Sequence, residues 1–221
     1  MRIEYTVTYK PHLRHIILHF KKEDGTFFVT APKGARASDI EAFVQSREEW
    51  CRKVYVQPPD TSSILLFGQP YEIEVSNGKR DMAVLENGKA SVTVKGDGQD
   101  QSKVKRILCR ELSTQLVPVL IRRVQHFSSL LGVSFKSIRV TRTKRAWAAC
   151  SSAGVLSFSV RCSALEPRLI DYIVLHECCH RLQFNHSDKF KALLDSHMAD
   201  WRDRKNEIEE FYARTLWLIS G

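Results

Sequence analysis

The segment His176-Glu177-Cys178-Cys179-His180, followed by His186, constrains the fold of this chain more than any other feature. Residues four apart lie on one face of an α-helix, about 6 Å apart along its axis. A helix through this segment would therefore aim His176 and His180 at one point, with Glu177 beside them. The spacing predicts a helix that supplies two imidazole ligands to one metal ion and places a carboxylate next to it.

His186 can join these ligands only if the helix ends before it. In a continuous helix, its side chain would point about 120° away from the second imidazole and lie about 9 Å further along the axis. The sequence therefore predicts that the chain leaves the helix near Leu182 or Gln183, with Asn185 in a left-handed conformation. Ser187 is then expected to be the N-cap of a new helix.

Three imidazoles, from His176, His180 and His186, predict a site for one Zn²⁺ per chain, and other divalent transition metals accept the same ligands. Such a site leaves the fourth zinc position to a water molecule, whose pKa falls to about 7. Glu177 is placed to take a proton from that water. The predicted chemistry is hydrolysis with Glu177 as the catalytic base.

Other candidate ligands fit less well. His197 is expected near the end of the following helix, and the glutamates around Glu207 belong to a charged helical face. The six cysteines have irregular spacing and include no CxxC pair. The adjacent Cys178 and Cys179 are therefore expected to be free, buried thiols in a reducing compartment.

Composition predicts a soluble cytoplasmic protein without membrane association. No stretch approaches 18 uncharged apolar residues, and the first residues lack the apolar block of a signal peptide. The formal net charge is +9, which would attract nucleic acid, nucleotide phosphates or acidic peptides, although solvated basic faces give the same charge. The basic clusters are Lys103, Lys105, Arg106 and Arg110; Arg122 and Arg123; and Arg139, Arg142, Lys144 and Arg145.

The pattern along the chain predicts an α+β protein with a boundary near residue 100. Residues 1–100 are expected to form a β-rich module with one helix, which a capping box at Ser38 opens and Pro58-Pro59 ends. A hairpin turn is expected at residues 23–26. The strands are predicted at residues 5–9, 14–20, 26–30, 65–68, 71–75, 82–86 and 90–95.

Residues 101–221 follow a linker-like stretch at residues 96–102. A helix is predicted from Lys103 to Leu131, with Pro118 kinking or splitting it. Strands are predicted at residues 138–142 and 155–160. A helix beside a sheet whose edge strand can pair with an extended peptide suits the cleft of a zinc peptidase.

The block at residues 169–180, together with Asn185-His186-Ser187 and Phe190, closely resembles the YgjP-like metallopeptidase domain, which is related to the SprT-like and WLM zincins. The resemblance extends to most of the chain. It includes Asp24-Gly25-Thr26, Val29-Thr30-Ala31-Pro32, Gly68, Tyr71, Trp147, Cys150, Ser151, Gly154 and Leu156. It implies a zincin-like metallopeptidase domain at residues 101–221, with metal ligands His176, His180 and His186 and Glu177 as general base.

The chain departs from the family pattern near the expected cleft. Cys178 stands where the family usually has leucine, and Ala146, Ala148 and Ala149 stand where it has arginine, glycine and serine. These differences remove a cation and a hydroxyl group. They imply a substrate preference or an activity that differs from that of the family.

The predicted function is a zinc-dependent metallopeptidase that cleaves peptide bonds by Glu177-assisted attack of zinc-bound water on a peptide or protein substrate. Two alternatives remain open at the level of sequence. The same activated water can attack phosphorus, which would make the protein a metal-dependent nucleoside triphosphate phosphohydrolase. The basic surface also fits a nucleic-acid-associated module whose zinc site is not catalytic.

Overall fold

The computed structural model describes residues 3–21, 25–54 and 60–219, without the side chains of residues 52–54 and 213. The fold is mixed α+β. The chain divides into two compact units, Met1–Asp60 and Thr61–Gly221. Half of the turn predicted at residues 23–26, namely residues 23 and 24, lies outside the described residues, as does the helix end predicted at Pro58-Pro59.

The first unit contains a three-stranded sheet and two helices. Strands β1 (Tyr5–Lys10), β2 (Ile17–Lys21) and β3 (Thr26–Pro32) lie in the order β1-β3-β2. Strand β3 is parallel to β1 and antiparallel to β2. Its inward-facing side chains pack with apolar residues of the first helix in a small core that includes Val29, Ala31, Ile40 and Val44.

The sequence predicts one helix in this region, but the structure has two, α1 (Ala37–Gln45) and α2 (Glu48–Val54). Helix α1 begins before the predicted capping box, with Arg36 as its N-cap and an Arg36–Asp39 ion pair of 3.0 Å across its first turn. The Ser46 hydroxyl donates to the Phe43 carbonyl at 2.7 Å. This local side-chain bond competes with continuation of the helix, which ends there.

The second unit begins with a four-stranded sheet. Strands β4 (Ser63–Leu66), β5 (Gln69–Gly78), β6 (Met82–Glu86) and β7 (Lys89–Lys95) lie in the order β4-β5-β7-β6. This sheet shares one core with the first half of helix α3 (Gln101–Leu131). The chain therefore divides at Asp60 and Thr61, whereas the linker-like composition predicted a boundary near residue 100.

Helix α3 continues through Pro118 as one helix, so the predicted split is absent. The Asp100 side chain caps its N-terminus by accepting from the Lys103 backbone N–H at 3.0 Å. Gly132 ends it in a left-handed conformation with φ of 65°. Proline removes one backbone hydrogen bond, but fully buried side chains on both sides of it, Leu116 and Leu120, hold the helix in the core.

The site lies in the last part of this unit. Strands β8 (Ser137–Thr141), β9 (Ala148–Cys150) and β10 (Val155–Ser159) form a sheet in the order β8-β10-β9, which places β9 at an edge. A 3-10 helix (Val160–Ala164) leads to α4 (Pro167–Cys179), α5 (Asp188–His197) and α6 (Trp201–Leu216). Helix α4 packs against α3, α5, α6 and β9. No helix among the described residues is long and apolar enough to cross a bilayer.

Candidate metal centre

The end of helix α4 determines where the histidines lie. Helix α4 ends at Cys179 with His180 as its C-cap, and a tightened turn follows in which the Arg181 and Leu182 backbone N–H groups donate to the Cys178 and Cys179 carbonyls at 3.1 and 3.0 Å. The chain then turns, and Ser187 occupies the N-cap position of α5, although its hydroxyl makes no cap bond. The predicted helix break before His186 is therefore present.

The backbone makes this turn without the left-handed Asn185 that the sequence predicts. Among the described non-glycine residues, only Phe67 and Asn87 have a positive φ. The helix ends earlier than predicted, directly after Cys179, and the additional residues before His186 supply the reversal with ordinary backbone conformations.

The structure brings His176, His180 and His186 together. One ring nitrogen from each lies within 4.8 Å of the others, and Nε2 of His176 is 3.0 Å from Nε2 of His186. The ring centroids are 4.9 to 5.0 Å apart. Two imidazole nitrogens on one tetrahedral zinc ion would be about 3.3 Å apart, given zinc–nitrogen distances of 2.0–2.1 Å. The three side chains thus have the donor type that a zinc ion accepts, and their nitrogens lie close enough together that one metal ion could be held among them.

Hydrogen bonds orient two of the rings. His180 donates from Nδ1 to the Gln183 carbonyl at 3.2 Å, so its Nε2 is the nitrogen with the free lone pair. The Tyr172 hydroxyl lies 3.5 Å from Nδ1 of His176 on the preceding helical turn. Such partners on the outer ring nitrogen fix the tautomer and the ring direction of a metal ligand.

Phe190 packs against all three imidazoles. Its ring centroid lies 4.9 Å from that of His176 and 4.8 Å from those of His180 and His186, and the side chain is 1% exposed. The sequence places Phe190 on the apolar face of α5 but does not reveal this role. Its position four residues after His186, just inside a new helix, is the signal that could have indicated it.

Burial favours the neutral form of two of the imidazoles, those of His176 and His180, and makes the nearby carboxylate easier to protonate. Burial, with smaller effects from His180 and His186, lowers the pKa of His176 to about 3. Burial also lowers the pKa of His180. Burial raises the pKa of Glu177 to about 7, against the opposing effect of a hydrogen bond from the Cys150 backbone N–H. Neutral imidazoles retain the lone pairs that a metal needs.

The Cys150 contact places Glu177 at the free edge of β9. The Ser159 N–H donates to the Trp147 carbonyl at 2.7 Å, and the Ser151 N–H to the Val155 carbonyl at 3.0 Å. Odd-numbered residues of this segment therefore bond to β10, and the backbone groups of Ala148 and Cys150 point to the free edge. The Glu177 carboxylate accepts a hydrogen bond from the Cys150 N–H. The N–H and carbonyl of Ala148 point to the same edge, where an extended chain could pair with them.

A cavity of about 240 Å³ adjoins two of the site residues. Its lining consists of Ala146, Trp147, Ala148, Tyr172, Ile173, His176, Glu177, Lys205, Ile208 and Glu209. Two of the three alanines that depart from the family pattern therefore face this space. Ala149, the third, is exposed and does not line the cavity.

A buried arginine that the sequence does not reveal supports one wall of this cavity. Arg161 is 0% exposed and lies between two rings, with its guanidinium carbon 4.4 Å from the Trp147 centroid and 4.7 Å from the Tyr212 centroid. Its Nη2 donates to the Lys144 carbonyl at 3.3 Å. Arg161 thus fixes the segment that leads into β9.

The thiols and the downstream glutamate considered from sequence do not join the histidine cluster. Burial raises the pKa of Cys178 to about 12 and that of Cys179 to about 11, so both are protonated thiols in the core. All six cysteines are free. Glu207 pairs with Arg168, whose Nη1 donates to it at 3.0 Å. Cys178 accordingly fills the position of the family leucine as an apolar side chain.

Comparison with known sequences identifies the family. A profile of the YgjP-like metallopeptidase domain matches residues 14–211. The chain belongs to this family. The resemblance noted in the sequence is thus confirmed, and membership makes the protein a metallopeptidase with peptide or protein substrates.

Two solved structures show weaker similarity to this YgjP-like chain. They are the metallopeptidase zymogens jannalysin from Methanocaldococcus jannaschii and abylysin from Pyrococcus abyssi, with 21% and 20% identity. Each match covers 41% of this chain, and 94% and 92% of the respective structures, with a TM-score of 0.38. A search of curated proteins found no significant match.

Proposed function

We propose that this metallopeptidase is zinc-dependent, that His176, His180 and His186 hold one zinc ion, and that Glu177 is its general base. One observation carries the proposal. Three imidazole nitrogens lie within 4.8 Å of one another at the end of α4, beside a buried carboxylate on the same helix. Three protein ligands leave one coordination position open, as catalytic zinc sites require.

When bound, zinc acts as a Lewis acid and lowers the pKa of water to about 7. Glu177 accepts the proton of the attacking water on its carboxylate and delivers it to the nitrogen of the departing amine. The Cys150 backbone N–H, already bonded to this carboxylate, holds it in position.

The free edge of β9 is the proposed binding surface for the substrate backbone. An extended peptide can pair with the N–H and carbonyl of Ala148, as a strand added to the sheet. Glu177 bonds to the next outward-facing N–H along this strand, that of Cys150. A peptide on this edge therefore passes directly beside the carboxylate.

No observation favours the phosphohydrolase or nucleic-acid alternatives. Several of the basic side chains that could attract phosphate have partners within the protein. Lys103 pairs with Asp81 at 3.1 Å, Arg110 donates to the Asp81 carbonyl at 2.6 Å, and Arg123 forms an ion pair with Asp171. Family membership supports peptide or protein substrates instead.

We also propose that the protein acts in the cytoplasm. Its six cysteines are all free thiols, and five of them are buried. Unpaired thiols in this number are typical of a reducing compartment.

The test of the proposed function is a hydrolysis screen of the 221-residue chain on an unstructured protein substrate and on nucleoside triphosphates. Each reaction is run with zinc and with chelator. We expect cleavage of the protein substrate only, and only with zinc. Glu177→Gln should bind zinc but lose at least about 100-fold in turnover. Glu210→Gln is the matched control; it lies at an exposed position and should retain activity. Cleavage that survives in Glu177→Gln or in chelator, or hydrolysis of triphosphates alone, contradicts the proposal.

A further inference from the structure

We infer that the cavity beside Glu177 binds one large apolar side chain of the substrate, belonging to the residue that contributes the nitrogen of the cleaved bond. Ala148 sets the size of the side chain that fits. This inference rests on the proposed peptidase function and adds a substrate preference to it.

The chemistry of Glu177 assigns the cavity to one side of the cleaved bond. Glu177 and His176 form part of its lining. A general base that returns its proton to the departing amine must reach the nitrogen of that amine. The residue that carries this nitrogen therefore lies nearest to Glu177, and its side chain has the adjoining cavity available to it.

The walls of the cavity are mainly apolar. Its aliphatic and aromatic lining residues are Ala146, Trp147, Ala148, Tyr172, Ile173 and Ile208. The charged residues Lys205 and Glu209 are exposed and lie one helical turn apart on α6, so they belong to the mouth. A charged substrate side chain would lose its hydration between these walls, whereas an apolar one would gain from leaving water.

The volume of the cavity fits one side chain of about the size of phenylalanine. An apolar protein cavity of about 150 Å³ holds a benzene molecule, and this cavity measures about 240 Å³. Its walls are fixed, because Ile173 and Ile208 are 5% and 3% exposed in the core. Trp147 is held by the stacked guanidinium of Arg161 at 4.4 Å. These packed walls therefore limit the size of the side chain on the sides that they enclose.

Strand β9 offers a matched pair of substitutions. Side chains alternate between the faces of a strand, so Ala148, which lines the cavity, and Ala149, which is exposed, point in opposite directions. Ala148→Leu adds three carbon atoms inside the cavity. Ala149→Leu adds the same atoms on the same strand, outside it.

The first experiment maps cleavage sites of the zinc-loaded wild-type protein in a random peptide library by mass spectrometry. Phenylalanine, leucine and methionine should be enriched directly after the cleaved bond. Each methylene group in an apolar pocket changes kcat/KM by roughly 10 to 200-fold. In matched peptides, kcat/KM with phenylalanine at that position should therefore exceed kcat/KM with glycine by at least about tenfold.

The second experiment compares the variants on peptides with phenylalanine or alanine after the cleaved bond. Ala148→Leu should lower the ratio of the two kcat/KM values by at least about tenfold, and Ala149→Leu should leave it at the wild-type value. This ratio does not depend on the fraction of folded protein, so partial misfolding of a variant does not mimic the result.

The outcomes separate this inference from the function on which it rests. Cleavage of peptides without an apolar preference, or with the preference before the cleaved bond, overturns the inference and leaves the peptidase function intact. An equal change of the ratio in both variants overturns the role of Ala148. A zinc-loaded protein that cleaves no peptide overturns the proposed function itself.

Discussion

Replacement of Phe190 by leucine tests whether its ring positions the three imidazoles. Phe190 is 1% exposed, and its ring centroid lies within 4.9 Å of each histidine ring. Leucine keeps an apolar side chain in this space but removes the aromatic contacts. If the ring only fills volume, Phe190→Leu should affect stability alone. If it positions the ligands, zinc affinity should fall as well.

The magnitudes distinguish the two roles. An aromatic pair contributes about 0.5–1.5 kcal/mol, so three contacts contribute roughly 1.5–4.5 kcal/mol. If the ring only fills volume, its replacement by another apolar side chain should destabilise the protein by less than about 1.5 kcal/mol. Loss of a residue that supports metal ligands lowers metal affinity by about 10 to 100-fold. If the ring positions the ligands, we therefore expect Phe190→Leu to lose roughly 1.5–4.5 kcal/mol of stability in the zinc-free protein and to show at least about a tenfold rise in the Kd for zinc.

Zinc Kd values are measured by competition with a coloured chelator, and stability by urea unfolding of the zinc-free protein. Leu194→Met is the matched control, since Leu194 is also 1% exposed on α5 but is one turn further from the histidines. Its Kd for zinc should match the wild-type value. A Phe190→Leu protein that binds zinc as tightly as wild type refutes the positioning role.

Three further predictions concern residues around the site. Gly68→Ala should destabilise the protein by about 1–2 kcal/mol because of the positive φ of this residue. It should lose further stability because the new Cβ would lie 2.7 Å from Glu166 Cγ. Gly88→Ala is the control: Gly88 also has a positive φ but has open space around it, so urea unfolding should show only the first loss. The stability of Arg161→Met should lie within about 1 kcal/mol of the wild-type value, because methionine fills the space and removes the unpartnered Nη1. Arg161→Ala leaves a cavity and should lose at least about 2 kcal/mol in the same assay. Tyr172→Phe should raise the Kd for zinc about tenfold in chelator competition by removing the hydroxyl near His176; equal Kd values would contradict that role.

The sequence predicts the local features of the site because helix geometry alone relates the histidines. Spacing of four places His176 and His180 on one face, and the requirement for a third ligand predicts the break before His186. It does not predict how the chain reverses. The observed turn uses a short hydrogen-bonded end at Cys179 and not a left-handed Asn185.

Features that depend on contacts between distant segments could not be predicted in this way. The linker-like composition near residue 100 indicates a flexible segment, but the sheet before it and the helix after it bury one common core. The stacking of Arg161 between Trp147 and Tyr212 joins residues that are far apart in the sequence. Neither feature leaves a periodic pattern, because each depends on tertiary packing.

Zinc titration into the metal-stripped protein, with peptide hydrolysis measured on the same samples, tests the central claim most directly. The account predicts that activity rises in proportion to bound zinc and reaches its maximum at one zinc ion per chain. It also predicts that His186→Ala binds zinc more weakly and shows a matching loss of activity at limiting zinc. Full hydrolysis by the stripped protein, or one bound zinc per chain without any peptide cleavage, would contradict it.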